Sequence, residues 1–192
     1  MKIRIKQPLL KLLFVFLFLF LLFYSLRTQR FTSQLRTQEI PETQQKQGLP
    51  LRIIVPAIGV NASVQHVGLT FEGKMDVPSN ITDVAWFELG SYPGEKGSAV
   101  IAGHINGESG EDGVFSNLYK LKKGDRIYIE DDRGVSTTFE VQESRMYDPR
   151  YSDEVFTRSD KAYLNLITCD GVWVENTKNY TKRLVVFSEI SD

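Results

Sequence analysis

Hydrophobic positions follow two different patterns along the chain. From Leu9 to Leu26 the sequence LLKLLFVFLFLFLLFYSL is apolar or aromatic at almost every position. From about Leu51 onward, apolar and β-branched residues instead form short runs separated by Gly, Pro, Asn and Asp. These runs are LRIIV, SAVIAGHI, DRIYIED, STTFEVQ, YLNLIT and RLVVFSE. Short apolar runs between turn-forming residues are typical of β-strands, so the second pattern predicts an all-β barrel or sandwich.

The continuous apolar stretch predicts a membrane anchor. At about 1.5 Å per residue, a helix over 9–26 approaches the ~30 Å hydrocarbon core of a bilayer. Because no small-x-small cleavage site follows, we favour an uncleaved transmembrane signal anchor over a cleaved signal peptide. Residues 1–8 then form a short basic cytoplasmic tail. Residues 27–49, rich in Gln, Thr and charge, form an extracytoplasmic stalk, and residues 50–192 form the domain on the extracellular face of the cell membrane.

The composition suits one globular domain. The chain has 192 residues, a formal net charge of -1 and 42% hydrophobic residues, with no basic excess that would suggest nucleic acid as a partner. No internal repeat is present. The segment DGVFSNLYKL (112–121) predicts a short helix with Val114, Leu118 and Leu121 on one face.

The chain has one cysteine, Cys169, in LNLITCDG. A single cysteine outside the cytoplasm cannot form an intramolecular disulfide, so it is either an inert buried thiol or a reactive one. A free thiol has a pKa of about 8.5, and reactivity near neutral pH therefore needs a basic or cationic partner. His104 closes the apolar run VIAGH and opens a polar, Gly-rich loop, where a side chain can face a substrate. His66 lies in an alternating segment, where a surface-strand or hydrogen-bonded core imidazole is expected.

Arg183 supplies a candidate positive charge. It begins the run RLVVFSE, one loop after the run that contains Cys169, so the two strands are expected to be neighbours. A guanidinium stays charged and could stabilise an oxyanion, although an ordinary surface arginine is the alternative. Strand alternation is expected to turn Lys182 to the opposite face. Spacing alone does not show that Cys169, His104 and Arg183 meet.

At these residues the sequence resembles the sortases, membrane-anchored cysteine transpeptidases of bacterial surfaces. The shared motifs are TC at a predicted strand end, Arg opening the next strand as KRLVV, and GH closing GSAVIAGH. Further similarity lies in IVPAIGVNASV, MDVPSNITDVAWFELGSYPGEKG and VFSNLYKLKKGDRIYI. The likeness covers roughly residues 50–190 and is greatest to class F, with class D or E as alternatives.

The resemblance implies a closed eight-stranded sortase-type β-barrel with short helices. It implies Cys169 as the nucleophile, His104 as the general acid/base and Arg183 as the substrate-positioning, oxyanion-stabilising cation. The implied substrates are secreted surface proteins with an LPXTG-like sorting signal, cut between Thr and Gly through a thioester. The acyl group would pass to an amine of a peptidoglycan precursor or to a pilin lysine.

Three further residues are candidates for substrate binding: Thr168, Trp173 and Tyr180. Residues 170–182 are expected to form a loop over the cleft, in which Trp173 and Tyr180 either contact the substrate or fix the loop. No cofactor or metal is predicted. The acidic segment GESGEDG (107–113) lacks the regular alternation of oxygen ligands found in an EF-hand loop, so we interpret it as a solvated turn and expect no calcium activation.

Two other readings remain. An L,D-transpeptidase-like wall enzyme would carry Arg two residues after its cysteine, where this chain has Gly171. An anchored, non-catalytic β-domain that binds a surface partner would have Cys169 as an inert core thiol.

Overall fold

The computed structural model describes residues 16–24, 48–149 and 153–191. The chain divides into two compact units, Met1–Lys46 and Gln47–Asp192. In the first unit, residues 16–24 are helical with exposed side chains. Within the described residues, no helix is both long and apolar enough to span a bilayer. The rest of the predicted anchor, the tail and most of the stalk lie outside those residues, so the anchor and the boundaries within residues 1–49 stay predictions.

The second unit is a closed barrel of eight strands, which confirms the predicted barrel. The strands are β1 Pro50–Val55, β2 Val60–Val67, β3 Val84–Phe87, β4 Gly97–Gly103, β5 Arg126–Asp131, β6 Ser136–Tyr147, β7 Ala162–Val174 and β8 Asn179–Ile190. Their order around the barrel is β1-β2-β3-β4-β7-β8-β6-β5, and β5 closes it on β1. The β2–β3 and β4–β7 pairs are parallel, and the other pairs are antiparallel.

Alternating side chains fill the barrel and cover its outside. The interior cluster includes Ile101, Leu164 and Leu166, all fully buried. A second cluster on β4 and β8 packs against the short α-helix Asp153–Thr157 through its buried Val155. Because β4 is covered on both faces, all seven of its residues are buried. A strand buried on both faces has a continuous run of apolar residues in its sequence. It also forms a rigid support for His104, the residue that follows it.

The prediction of a helix over 112–121 is wrong. In this segment only Leu118–Lys120 is helical, as a 3₁₀ turn. Amides just before it bond outward instead: Val114 N–H to the Ile81 carbonyl and Phe115 N–H to the His104 carbonyl. The later amides Ser116, Leu118 and Lys120 bond three residues back, so the segment forms tight turns and not an α-helix.

Strand β7 is longer than the sequence predicted. It pairs with β4 as far as Ile167 and then continues to Val174 with β8 as its partner. Cys169 therefore lies within a strand and not at its end, and β8 begins at Asn179 and not at Arg183. Most of the predicted loop 170–182 is a two-stranded ribbon, because β8 supplies backbone hydrogen-bond partners throughout it.

Candidate active site

The two strands β7 and β8 place Cys169 directly opposite Arg183 in their antiparallel register. The strand β4 brings the third candidate. Ala102 pairs with Ile167, and the hydroxyl of the next residue, Thr168, donates to the Gly103 carbonyl at 2.7 Å. His104 is the first residue after β4 and follows Gly103 as Cys169 follows Thr168. The backbone register therefore places Cys169 on β7 between Arg183 on β8 and the end of β4, which His104 follows.

His104 is held by a backbone carbonyl that the sequence did not reveal. Its half-buried ring places Nε2 2.8 Å from the carbonyl oxygen of Pro78. A carbonyl can only accept, so Nε2 must carry the proton. In the neutral ring the lone pair then belongs to Nδ1, which leaves Nδ1 as the atom that can take up a proton.

The loop that carries Pro78 is fixed by side-chain hydrogen bonds. Asn80 Oδ1 accepts from the Asp83 amide at 2.8 Å, and Gln65 on β2 accepts from the Ser79 amide at 3.0 Å while donating to Asp83 Oδ2 at 2.9 Å. Hydrogen bonds from Asn80 and Gln65 hold the pKa of Asp83 below its usual value. The Asn80 turn is closed by local hydrogen bonds, from the Thr82 and Asp83 amides to Asn80 Oδ1. Its contact with His104 is not local.

Arg183 turns its guanidinium back over the start of β8. Nη1 donates to the carbonyls of Lys182 at 2.8 Å and Tyr180 at 3.3 Å, and Nη2 donates to Asn179 Oδ1 at 2.7 Å. Lys182 points away and pairs with Asp148, as strand alternation predicted. Arg183 is therefore the cation of this pair that is close to Cys169.

The thiol of Cys169 is half-buried. Burial raises its pKa, because the charged thiolate is the form that loses solvation. The positive charge of Arg183 lowers the pKa but does not cancel the effect of burial. The free site therefore holds mainly a thiol near neutral pH, and a base must remove its proton before it can act as a nucleophile.

The predicted substrate-binding residues differ in accessibility. Thr168 is 3% exposed and joins β7 to β4 through its hydroxyl. Trp173 is exposed, and its ring meets the half-buried Tyr180 ring edge-on with centroids 5.2 Å apart. The Tyr180 hydroxyl donates to Asn106 Oδ1 at 2.8 Å. Substrate contact by these three residues stays a prediction.

His66 lies outside the site. It packs edge-on against Trp86 with ring centroids 5.4 Å apart, and its Nε2 is 2.8 Å from the Pro50 carbonyl. It is thus a half-buried, hydrogen-bonded imidazole on a strand, without a role in the site, in line with the expectation from its alternating segment.

In the part of the chain that the structure describes, no three His, Cys, Asp or Glu side chains lie close enough together to hold a metal ion. The segment 107–113 folds into a turn closed by the Gly107 amide on the Glu111 carbonyl at 2.8 Å. Independence from calcium and other cofactors stays a prediction.

A cavity of about 150 Å³ lies elsewhere in the barrel. Its lining includes Pro50, Asp131, Arg133 and Ile190, and none of the three candidate catalytic residues. The Asp131 carboxylate already accepts from Arg133 and from two backbone amides. We assign no chemical role to this cavity.

Comparisons with known proteins agree with the geometry. A family model described as the sortase domain matches residues 53–191. Sortase C-1 from Actinomyces oris is 26% identical over 75% of this chain and 74% of its own, with a TM-score of 0.59.

Two other solved structures share the fold. Sortase C from Clostridium perfringens SM101 is 24% identical over 76% of this chain and 71% of its own, with a TM-score of 0.56. Sortase A from Corynebacterium diphtheriae is 23% identical over 78% of this chain and 64% of its own, with a TM-score of 0.59. No curated protein sequence matches the chain. The resemblance to sortases is thereby confirmed, whereas the class within the family stays a prediction.

Proposed function

Because the chain belongs to the sortase family, we propose that it is a cysteine transpeptidase in which Cys169 attacks an LPXTG-like sorting signal on a secreted surface protein. The observation that supports the assignment of residues is the position of Cys169 between two neighbouring strands. The register of β7 sets Cys169 opposite Arg183, and the hydrogen bond from Thr168 to Gly103 sets it beside the end of β4 at His104.

The first half-reaction forms a thioester. His104 takes the thiol proton at Nδ1, since Nε2 already donates to the Pro78 carbonyl. The sulfur bonds to the carbonyl carbon of the signal's Thr, and the bond from that carbon to the Gly nitrogen breaks. The proton held by His104 passes to the departing amine, so that charge and atoms balance.

Arg183 stabilises the oxyanion that develops in this step. A guanidinium has five N–H donors, and among the described residues three hydrogen bonds engage it. In this proposal the remaining donors bind the carbonyl oxygen as its negative charge develops. These donors are fixed before the reaction by the start of β8, so they need little reorganisation to act.

The second half-reaction reverses the first with a new amine. An amine of a peptidoglycan precursor or a pilin lysine attacks the thioester carbon and gives its proton to His104. The carbon–sulfur bond then breaks, and the proton held by His104 passes to the departing sulfur, which restores the thiol and the neutral imidazole. The predicted anchor would hold the domain on the extracellular face of the membrane, where exported proteins and such amines are both present.

The test uses the full chain, a library of LPXTG-like peptides and hydroxylamine or glycine as the acceptor, with products identified by mass spectrometry. The wild type should cleave at least one peptide, and Cys169→Ala should form no adduct. Loss of the general acid/base in His104→Ala should reduce turnover by about 10²- to 10⁴-fold. Ser144→Ala, at an exposed position on β6, is the control that should match the wild type.

One outcome of this test would contradict the proposed function. A folded chain that turns over no peptide, and whose thiol resists a methanethiosulfonate, would support the non-catalytic β-domain. The L,D-transpeptidase reading is excluded by the family match.

A further inference from the structure

Tyr180 forms hydrogen bonds to both sides of the candidate site. Its hydroxyl donates to Asn106 Oδ1 at 2.8 Å, and Asn106 is two residues beyond His104. Its backbone carbonyl accepts from Nη1 of Arg183 at 3.3 Å. One residue thus connects the segment after the candidate acid/base with the candidate cation, across a sequence separation of 74 residues between Tyr180 and Asn106.

The Tyr180 ring is fixed on the β8 side. Trp173, its cross-strand partner on β7, packs edge-on against it. Asn179 Oδ1 accepts from the Tyr180 amide at 2.9 Å and from Arg183 Nη2 at 2.7 Å. The ring that carries the hydroxyl is therefore already held in place. The hydrogen bond to Asn106 then costs little side-chain conformational entropy.

Asn106 is fixed on the other side. It belongs to a narrow hairpin, residues 105–113, closed by the Gly113 amide on the Ile105 carbonyl at 3.0 Å. Its Nδ2 donates to the Gly107 carbonyl at 3.0 Å, which leaves Oδ1 as the atom directed to Tyr180.

This hairpin is packed tightly against the backbone of His104. A Cβ added at Gly113 would stand 2.3 Å from the His104 carbonyl oxygen, so there is no space between the two segments. The same carbonyl accepts from the Phe115 amide at 2.9 Å. A displacement of the hairpin would therefore be transmitted to His104.

We propose that the Tyr180–Asn106 hydrogen bond holds the 105–113 hairpin and the start of β8 in one arrangement, and that Tyr180 is a positioning residue for His104 and Arg183 instead of a substrate-binding residue. The ribbon needs such a tie. β7 has no pairing with β4 beyond Ile167, and β8 pairs with β6 only as far as Arg183, so residues 170–174 and 179–182 pair only with each other. A two-stranded ribbon by itself is marginally stable. The catalytic consequence of this inference rests on the proposed transpeptidase function, while its structural consequence does not.

The experiment removes the bond from each side. In the full chain, Tyr180→Phe keeps the ring and deletes the donor, and Asn106→Ala deletes the acceptor. In either variant the hairpin amides of Gly107 and Gly113 should exchange with deuterium about 3- to 10-fold faster than in the wild type. The kcat for the best LPXTG-like peptide should fall by a similar factor with KM little changed.

Two controls separate the bond from general damage. Tyr119→Phe removes the hydroxyl of an exposed tyrosine and should change neither exchange nor kcat. Asn106→Asp retains an oxygen acceptor for Tyr180 and should restore exchange and kcat toward the wild type. Asn106→Ala also removes the bond from Nδ2 to the Gly107 carbonyl. The double variant Tyr180→Phe/Asn106→Ala should therefore be no worse than Asn106→Ala alone, because the hydroxyl has already lost its acceptor there.

Multiplying effects in the double variant would overturn the proposal. So would a Tyr180→Phe variant that raises KM alone with unchanged exchange, since that result describes a substrate contact. A wild type that turns over no peptide would contradict the proposed function, and the exchange measurements would then decide the structural inference alone.

Discussion

The two halves of β7 differ in what surrounds them. Residues 162–168 lie between β4 and β8, and all but Ile167 are buried. Residues 169–174 continue with β8 as their partner, and none of them is buried. Cys169 is the first residue of the second half. Its backbone is thus held by the barrel while its side chain is only half-buried, a combination suited to a reactive group on a rigid support.

The sequence of each half matches its surroundings. The first half, AYLNLIT, is apolar except at Asn165 and Thr168, whose side chains bond to the Val155 and Gly103 carbonyls. The second half, CDGVWV, contains Gly171 with φ of +84, where the register with β8 shifts. The first half should therefore set stability, and the second should set the environment of the thiol.

Truncation in the core should have the largest effect. Leu166 is fully buried, so Leu166→Ala should lower the free energy of unfolding by about 2–5 kcal/mol through lost contacts and a cavity. Val172 is 69% exposed, so Val172→Ala should change it by less than about 0.5 kcal/mol. Urea denaturation followed by tryptophan fluorescence measures both. Equal costs would show that the two halves are equally packed.

An added methyl group at Gly171, in the second half of β7, should have a smaller effect, and Gly134 is its control. Gly134 and Gly171 both have positive φ, so alanine at either should cost about 1–2 kcal/mol of unfolding free energy. Only at Gly171 would the new Cβ meet a neighbour, Thr181 Oγ1 at 2.4 Å, whereas Gly134 has open space.

The difference between these two alanine variants isolates the contact. Gly171→Ala should cost more in denaturation and should also change the rate at which a methanethiosulfonate modifies Cys169. Gly134→Ala should leave that rate at the wild-type value. Identical stability and identical labelling in the two variants would show that the register shift at Gly171 does not affect the environment of Cys169.

Removal of the positive charge should have the smallest effect, a shift in a pH profile. Arg183 lowers the pKa of Cys169 while burial raises it, so Arg183→Ala should raise this pKa further. Modification of Cys169 should then reach its half-maximal rate at a higher pH than in the wild type. Arg183→Lys retains a charge and should shift the profile less.

Lys182→Ala is the matched control for this measurement. Lys182 is engaged with Asp148 on the other face of β8 and should leave the pH profile unchanged. Equal shifts in Arg183→Ala and Lys182→Ala would mean that overall charge, and not the position of Arg183, governs the thiol.

Much of the fold was predictable, because strand formation depends on neighbouring residues. The alternating and continuous apolar runs correspond to β1, β4, β5, β6, β7 and β8, and His104 follows the last residue of β4 as expected. The extents of β7 and β8 were not predictable. The polar residues Asp170 to Lys182 are typical of a loop, yet each strand there supplies the hydrogen-bond partners of the other.

The sequence by itself determined an all-β domain, a lone thiol and three candidate residues near predicted strand ends, since each of these depends on local composition and spacing. The tertiary structure alone decided that these residues lie on neighbouring strands, Cys169 opposite Arg183 and beside the end of β4. The parallel pairing of β4 with β7 joins Gly103 to Thr168 across 65 positions, and the bond from His104 to Pro78 spans 26. Such contacts depend on the order of strands around the barrel, which no local pattern specifies.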